Sequence, residues 1–297
     1  MERNVMKLIL LALLVSVTAC NKAEFTEGRM FAGGKAVDAD TLNLGKNTYL
    51  EYCVQCHGVA GDGQGVSHKG MYPPPRNLKQ GLYKFANVPY GELPHDVDFH
   101  RIIRKGLNGS AMLPWDISDD RLDAVTQYIK TFAPQTWEGA DKALGTKIEA
   151  TPNPYGEDKR VEAIARGAKV YHVVAQCTTC HRGYASMDEI NEWSKEINGT
   201  AMAGMDETLY QLKLQESEYN YKVVPPDFTY HELRSIYSTA DIYQRMLYGV
   251  TGSGMPGWKD VVSDDDLWAL TYYVEDLMKL RKDQPARKAL MDRIEPK

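Results

Sequence analysis

The chain is expected to be mainly α-helical and to consist of two tandem copies of one module. Three observations lead there. The pentapeptide pattern C-x-x-C-H occurs twice, as Cys53-Val54-Gln55-Cys56-His57 and as Cys177-Thr178-Thr179-Cys180-His181. Downstream of each lies one arm of an ungapped repeat, Asp98–Met112 and Asp241–Met255, which aligns Asp98 with Asp241, Gly106 with Gly249, Gly109 with Gly252, Ser110 with Ser253 and Met112 with Met255. A second repeated block follows each arm, opening Ser118-Asp119-Asp120 and Ser263-Asp264-Asp265, and its apolar residues recur at helical spacing.

The elements follow in order. Arg3 and Lys7 precede an apolar run from Leu8 to Val17, too short for a bilayer core that needs about 20 residues. Residues 1–19 therefore read as a secretory signal, outside the fold. The run ends in Val17-Thr18-Ala19-Cys20, similar to a bacterial lipobox, which makes Cys20 the lipidated first residue. Of the five cysteines only Cys20 lies outside the paired motifs, and a lipid gives this leftover thiol a role. Asn21 follows it rather than Asp, so the usual inner-membrane retention signal is missing and outer-membrane sorting is open. Residues 20–37 read as a tether, 38–133 as the first domain and 134–156 as a linker closed by Thr151-Pro152-Asn153-Pro154. Residues 157–282 form the second domain and 283–297 a tail. The second domain carries an insertion at about 183–224, with a helix near Met187–Ile197.

Within each module, helices should run into the pentapeptide from Gly45 to Tyr52 and from Gly167 to Gln176. Short helices start at Asp98 and Asp241 and end at Gly106 and Gly249, where glycine can take a positive φ. The terminal helices start at Ser118 and Ser263, good N-caps followed by acidic residues at the positive end of the dipole. Their apolar faces are Leu122, Val125, Ile129 and Phe132 in one copy, and Leu267, Leu270, Val274 and Leu277 in the other.

The pentapeptide itself carries the chemistry. Two thiols three residues apart sit on one side of a helical turn, where they can add to the two vinyl groups of a haem, and the adjacent imidazole lies beneath the iron. A lone C-x-x-C also suits dithiols and zinc, but zinc needs further thiols or a His pair at ligand spacing, and neither is present. Two covalently bound haem c groups are expected, through Cys53, Cys56, Cys177 and Cys180, with His57 and His181 as iron ligands.

Helix, haem loop, short helix, Met loop and terminal helix, in that order, resemble the class I cytochrome c fold over roughly 38–133 and 157–282. The resemblance implies Met112 and Met255 as the distal ligands, in Gly-x-x-Met loops beside Pro114 and Trp115, and beside Pro256 and Trp258. Glycine permits such a turn, proline stiffens it and the indole supplies an apolar wall. Met71, Met202 and Met205 are weaker rivals. His68, His95, His100, His172 and His231 have no counterpart at the matching place in the other module and read as surface or structural. The resemblance further implies that a proline carbonyl accepts from the other ring nitrogen of His57 and of His181, pointing to Pro73–Pro75 and Pro225–Pro226. Arg76 either meets a haem propionate or lies on the surface.

Filled axial positions leave no iron site for a substrate, so the expected function is electron transfer, with unknown redox proteins as donor and acceptor and a bacterial envelope membrane as the anchor at Cys20. The alternatives are a dihaem enzyme such as a peroxidase, which must open one axial position, or the electron-exit subunit of a larger oxidoreductase. A net charge of −5 speaks against nucleic acid as a partner.

Overall fold

The computed structural model describes residues 24–294. Signal, lipobox and Cys20 lie outside the described residues. The fold is mainly helical and repeats one plan in tandem, and the only strands described are two short ones, β1 (Arg29–Phe31) and β2 (Lys35–Val37), paired antiparallel.

In the first module α1 (Ala39–Tyr52) is capped by Asp38, whose carboxylate accepts from the Thr41 N–H. It runs into a one-turn helix, Val54–His57, that carries the first pentapeptide. Then come α2 (Asp96–Lys105) and α3 (Asp119–Lys130), and α3 lies across α1. Leu122, Val125 and Ile129 are buried on the inner face of α3. The crossing is close because α1 presents Gly45 there: a Cβ on it would stand 2.1 Å from the Ala124 carbonyl oxygen.

The second module repeats the plan with α4 (Arg160–Lys169), α5 (Met187–Asn198), α6 (Thr239–Tyr248) and α7 (Asp264–Lys279), and α5 is the inserted helix. Gly167 on α4 meets α7 as Gly45 meets α3, its notional Cβ 2.1 Å from the Ala269 carbonyl oxygen. Instead of one helix reaching Gln176, α4 passes into a wider turn over Val170–Val174, and Gln176 takes φ +46° just before Cys177.

Three segments read from the sequence as connections belong to the cores. The expected tether is a tether at most up to Phe25. From there on Phe25, Phe31, Ala32 and Val37 are buried in the first core, since three large apolar side chains gain more from that core than from water. The expected linker opens with a helical turn, Pro134–Trp137, whose Trp137 is fully buried among Tyr83 and Phe99. Its second half lies on the other module: the Ile148 N–H donates to the Tyr248 hydroxyl and the Trp268 indole N–H to the Thr151 carbonyl. The expected tail forms α8 (Gln284–Ile294), and Ile294 is buried with Ile190 of α5 and Leu209 in a third apolar cluster.

The modules share a seam. Asn87 donates to Gln244 (2.8 Å), the Tyr237 hydroxyl to the Gly106 carbonyl (2.5 Å), and Arg101 lies 3.7 Å from Asp241. The second half of the insertion, pinned by a bridge between Gln215 and Val223, reaches over the first module. There the Tyr219 ring lies 3.6 Å from the Arg76 guanidinium carbon and its hydroxyl donates to the Thr251 carbonyl.

Candidate haem sites

In the first module Cys53, Cys56, His57 and Met112 line one cavity, walled by Tyr49, Phe99, Trp115 and Ile129. The His57 ring is held by its Nδ1, which donates to the Arg76 carbonyl at 3.0 Å. With that proton committed, Nε2 keeps its lone pair, the form an imidazole needs to bind a metal. Burial holds the imidazolium form down, so the ring stays neutral. The second module is wired alike: His181 Nδ1 lies 3.3 Å from the Pro226 carbonyl, its ring stacks on Phe228, and burial brings its pKa down to about 4. The acceptor is thus a proline carbonyl in the second module only. In the first it is Arg76, one residue past the Pro73–Pro75 run, because Arg76 occupies the place of Pro226.

Cys53 and Cys177 are placed as neutral thiols. Burial pushes both Cys53 and Cys177 up to about 12, and all four described cysteines are unpaired. A redox-active dithiol needs a neighbouring positive charge that lowers the thiol pKa, and a zinc site needs thiolates. Among the described residues, no three or more His, Cys, Asp or Glu side chains come together in a way that could hold a metal ion. A thiol pair, a free imidazole nitrogen and a thioether around one apolar cavity are the donor set of a covalently bound haem, so these residues fit that group.

The Met loops repeat bond for bond. The Leu107 N–H donates to the Met112 carbonyl (2.8 Å) and the Val250 N–H to the Met255 carbonyl (2.9 Å). Ser110 Oγ donates to the Leu107 carbonyl and accepts from the Met112 N–H, and Ser253 does the same between Val250 and Met255. Trp115 and Trp258 tie each loop back to its helix, donating backbone N–H to the carbonyls of Ile103 and Met246. Gly106 and Gly249 close those helices at φ +67° and +77° with ψ near 180°, a region open to glycine alone. A Cβ there would stand 2.6 and 2.5 Å from the carbonyl oxygens of Met112 and Met255. Met71 also lines the first cavity, whereas Met202 and Met205 pack in the third cluster.

The other histidines are engaged elsewhere. His172 donates from Nδ1 to the Ala168 carbonyl and accepts at Nε2 from the Tyr184 N–H. His95, His68 and His231 bond to the Gly145 carbonyl, the Gly65 carbonyl and the Asp227 N–H, and His100 lies off the cavity lining. Lys84 and Arg234 line the first cavity without having been singled out from the sequence. Extending the repeat backwards would have found them, but the loop before α2 is longer than that before α6 and hides the match.

Comparison with known proteins agrees with this geometry. The family model described as "Cytochrome C oxidase, cbb3-type, subunit III" matches residues 40–129 and again 162–274, more than half of the chain. A chain of the Kuenenia stuttgartiensis reducing HAO-like protein complex is similar at 30% identity and TM-score 0.62, over 79% of this chain and 95% of that one. No curated protein sequence matches. With its two matched segments falling on its two modules, the chain belongs to this cytochrome c family.

Proposed function

We propose that the chain is a dihaem electron carrier, with one haem c in each module held by His57 and Met112 and by His181 and Met255, and that it is exported and lipid-anchored through Cys20 to a bacterial membrane. The observation that carries this is the bond-for-bond repetition of the Met loop and the proximal His mooring in both modules. When bound, such a haem supplies an iron that takes up and gives back one electron.

The chain's own part is to hold the iron's surroundings still between the two states. The Nδ1 bonds fix both imidazoles, the serine-stapled loops fix both thioethers, and apolar walls keep water out. Two protein ligands to each iron would leave no open position for a substrate, which would set the carrier apart from a dihaem peroxidase. Membrane attachment is inferred from Cys20; no helix among the described residues is long and apolar enough to cross a bilayer.

The likeness to a chain of a redox complex favours a second reading, in which the protein works as the electron-transfer subunit of an assembly. Detergent extraction followed by gentle purification separates the two: a carrier leaves alone, a subunit brings a stoichiometric partner. Carrier function is tested on the holoprotein by redox titration, then carbon monoxide and peroxide. Two one-electron steps, no carbon monoxide adduct and no peroxide turnover are expected. A carbon monoxide complex or rapid peroxide consumption would replace the carrier with the enzyme.

A further inference from the structure

We propose that Arg234 of the second module reaches across the seam and, with Lys84 and Arg76 of the first, forms a carboxylate-binding site that takes the propionate groups of the first module's haem. This rests on the haem reading above and adds a cross-module clamp to it.

Arg76, Lys84 and Arg234 all line the cavity that holds Cys53, Cys56, His57 and Met112. Three cations at one apolar cavity repel each other and lose hydration, an arrangement stable only with anions to meet them. None of the three makes an ion pair with a carboxylate among the described residues, and the Arg234 Nε is buried without a hydrogen-bond partner. What Arg76 and Lys84 have is the Tyr219 ring, at 3.6 and 4.5 Å from their charged ends, which holds them in place and leaves their N–H donors free. Burial, with the charges of Arg76 and Arg234 adding to it, brings the Lys84 ammonium down to about 7, the mark of a cation lacking its counter-ion.

The arrangement is built into the repeat. Lys84 precedes Phe85, with φ +65°, and Arg234 precedes Ser235, with φ +59°. Three residues after each cation, the N–H of Asn87 and of Tyr237 donates to Asp98 and to Asp241, the acidic pair that opens the repeated segment. The two cations are therefore the same position of the module, and at the seam the second copy's residue is turned toward the first copy's cavity. A haem bound through Cys53 and Cys56 carries two carboxylates, anions that these three cations can meet.

The test is redox titration of the two-haem protein and of its Arg234→Gln and Arg234→Lys variants, with haem content counted in each. Met112→Ala identifies the first haem, as the one whose potential it displaces. Arg234→Gln is expected to keep both haems and to shift the reduction equilibrium of the first by about tenfold toward the oxidised form, 59 mV for one electron, while the second haem holds its value. Arg234→Lys should restore most of the shift. Lys84→Gln gives an independent reading with the same expected direction. First-haem potentials unchanged in both glutamine variants, or a shift confined to the second haem, would overturn the clamp with the haem reading intact. Fewer than two haems in the unsubstituted protein would overturn that reading and the clamp together.

Discussion

His172 gives a prediction whose size follows from the structure. The ring is buried, and both its nitrogens are committed, Nδ1 as donor to the Ala168 carbonyl at 2.8 Å and Nε2 as acceptor from the Tyr184 N–H at 3.0 Å. Protonation would turn that acceptor into a donor facing another donor. Burial first, against opposing help from the Ala168 bond and the more distant Glu189, brings the pKa from 6.5 to about 4. A depressed folded-state value means that the unfolded chain binds the proton more readily, so this contribution is complete above pH 6.5 and is lost as the pH falls toward 4. At about 1.4 kcal/mol per unit, the loss is about 3 kcal/mol. His172→Gln keeps one acceptor and one donor in similar places but does not titrate. Denaturant unfolding of the holoprotein at pH 7, 5 and 4 should show the unsubstituted protein losing about 3 kcal/mol more than the variant across that range. Carboxylates titrate in both proteins and cancel in the comparison. Parallel curves would refute the account of a neutral, doubly bonded His172.

Other substitutions probe the remaining contacts. Gly167→Ala puts a methyl 2.1 Å from the Ala269 carbonyl oxygen, so α4 and α7 must part; calorimetry should show the second module destabilised by about 1–3 kcal/mol and the first unaffected. Gly249→Ala meets a positive φ and a Cβ 2.5 Å from the Met255 carbonyl oxygen, and should cost about 1–3 kcal/mol and disturb the second Met loop. Gly199→Ala, also at positive φ but in open space, should leave both optical spectra unchanged. Lys130 is buried with its ammonium 2.5 Å from Asp96; burial opposes the Asp96 charge, but Lys130 and then Lys35 outweigh it and hold the acid at about 2. Asp96→Asn removes the main counter-charge and should cost about 3–5 kcal/mol by urea unfolding, whereas Lys130→Met should cost much less.

Helices and Met loops were legible because their constraints are local. Helix starts at Ser118 and Ser263, the second capped by its hydroxyl accepting from the Asp266 N–H, helical periodicity from Leu122 to Ile129, and glycines at the helix ends all act over a few residues. The paired pentapeptides announced the thiols and imidazoles for the same reason. Missed features depend on contacts far apart in the chain. Nothing near Phe25 or Trp137 says that a core waits for them, since a burial partner such as Tyr128 or Phe99 is remote in sequence. Tyr219 lies within the insertion, and its place as a strap exists only once the second module lies beside Arg76. Lys84 and Arg234 were hidden by unequal loops, although their neighbours Phe85 and Ser235 share an unusual backbone conformation.

The measurement closest to the central claim is the near-infrared and magnetic circular dichroism spectrum of the oxidised holoprotein, with haem counted in the same sample. Two haems per chain, each low-spin and each showing the methionine-to-iron charge-transfer band, are predicted, with Met112→Ala and Met255→Ala each removing one band and leaving the other. Two haems of which only one shows the band, or bands that survive both substitutions, would contradict Met112 and Met255 as the pair of distal ligands.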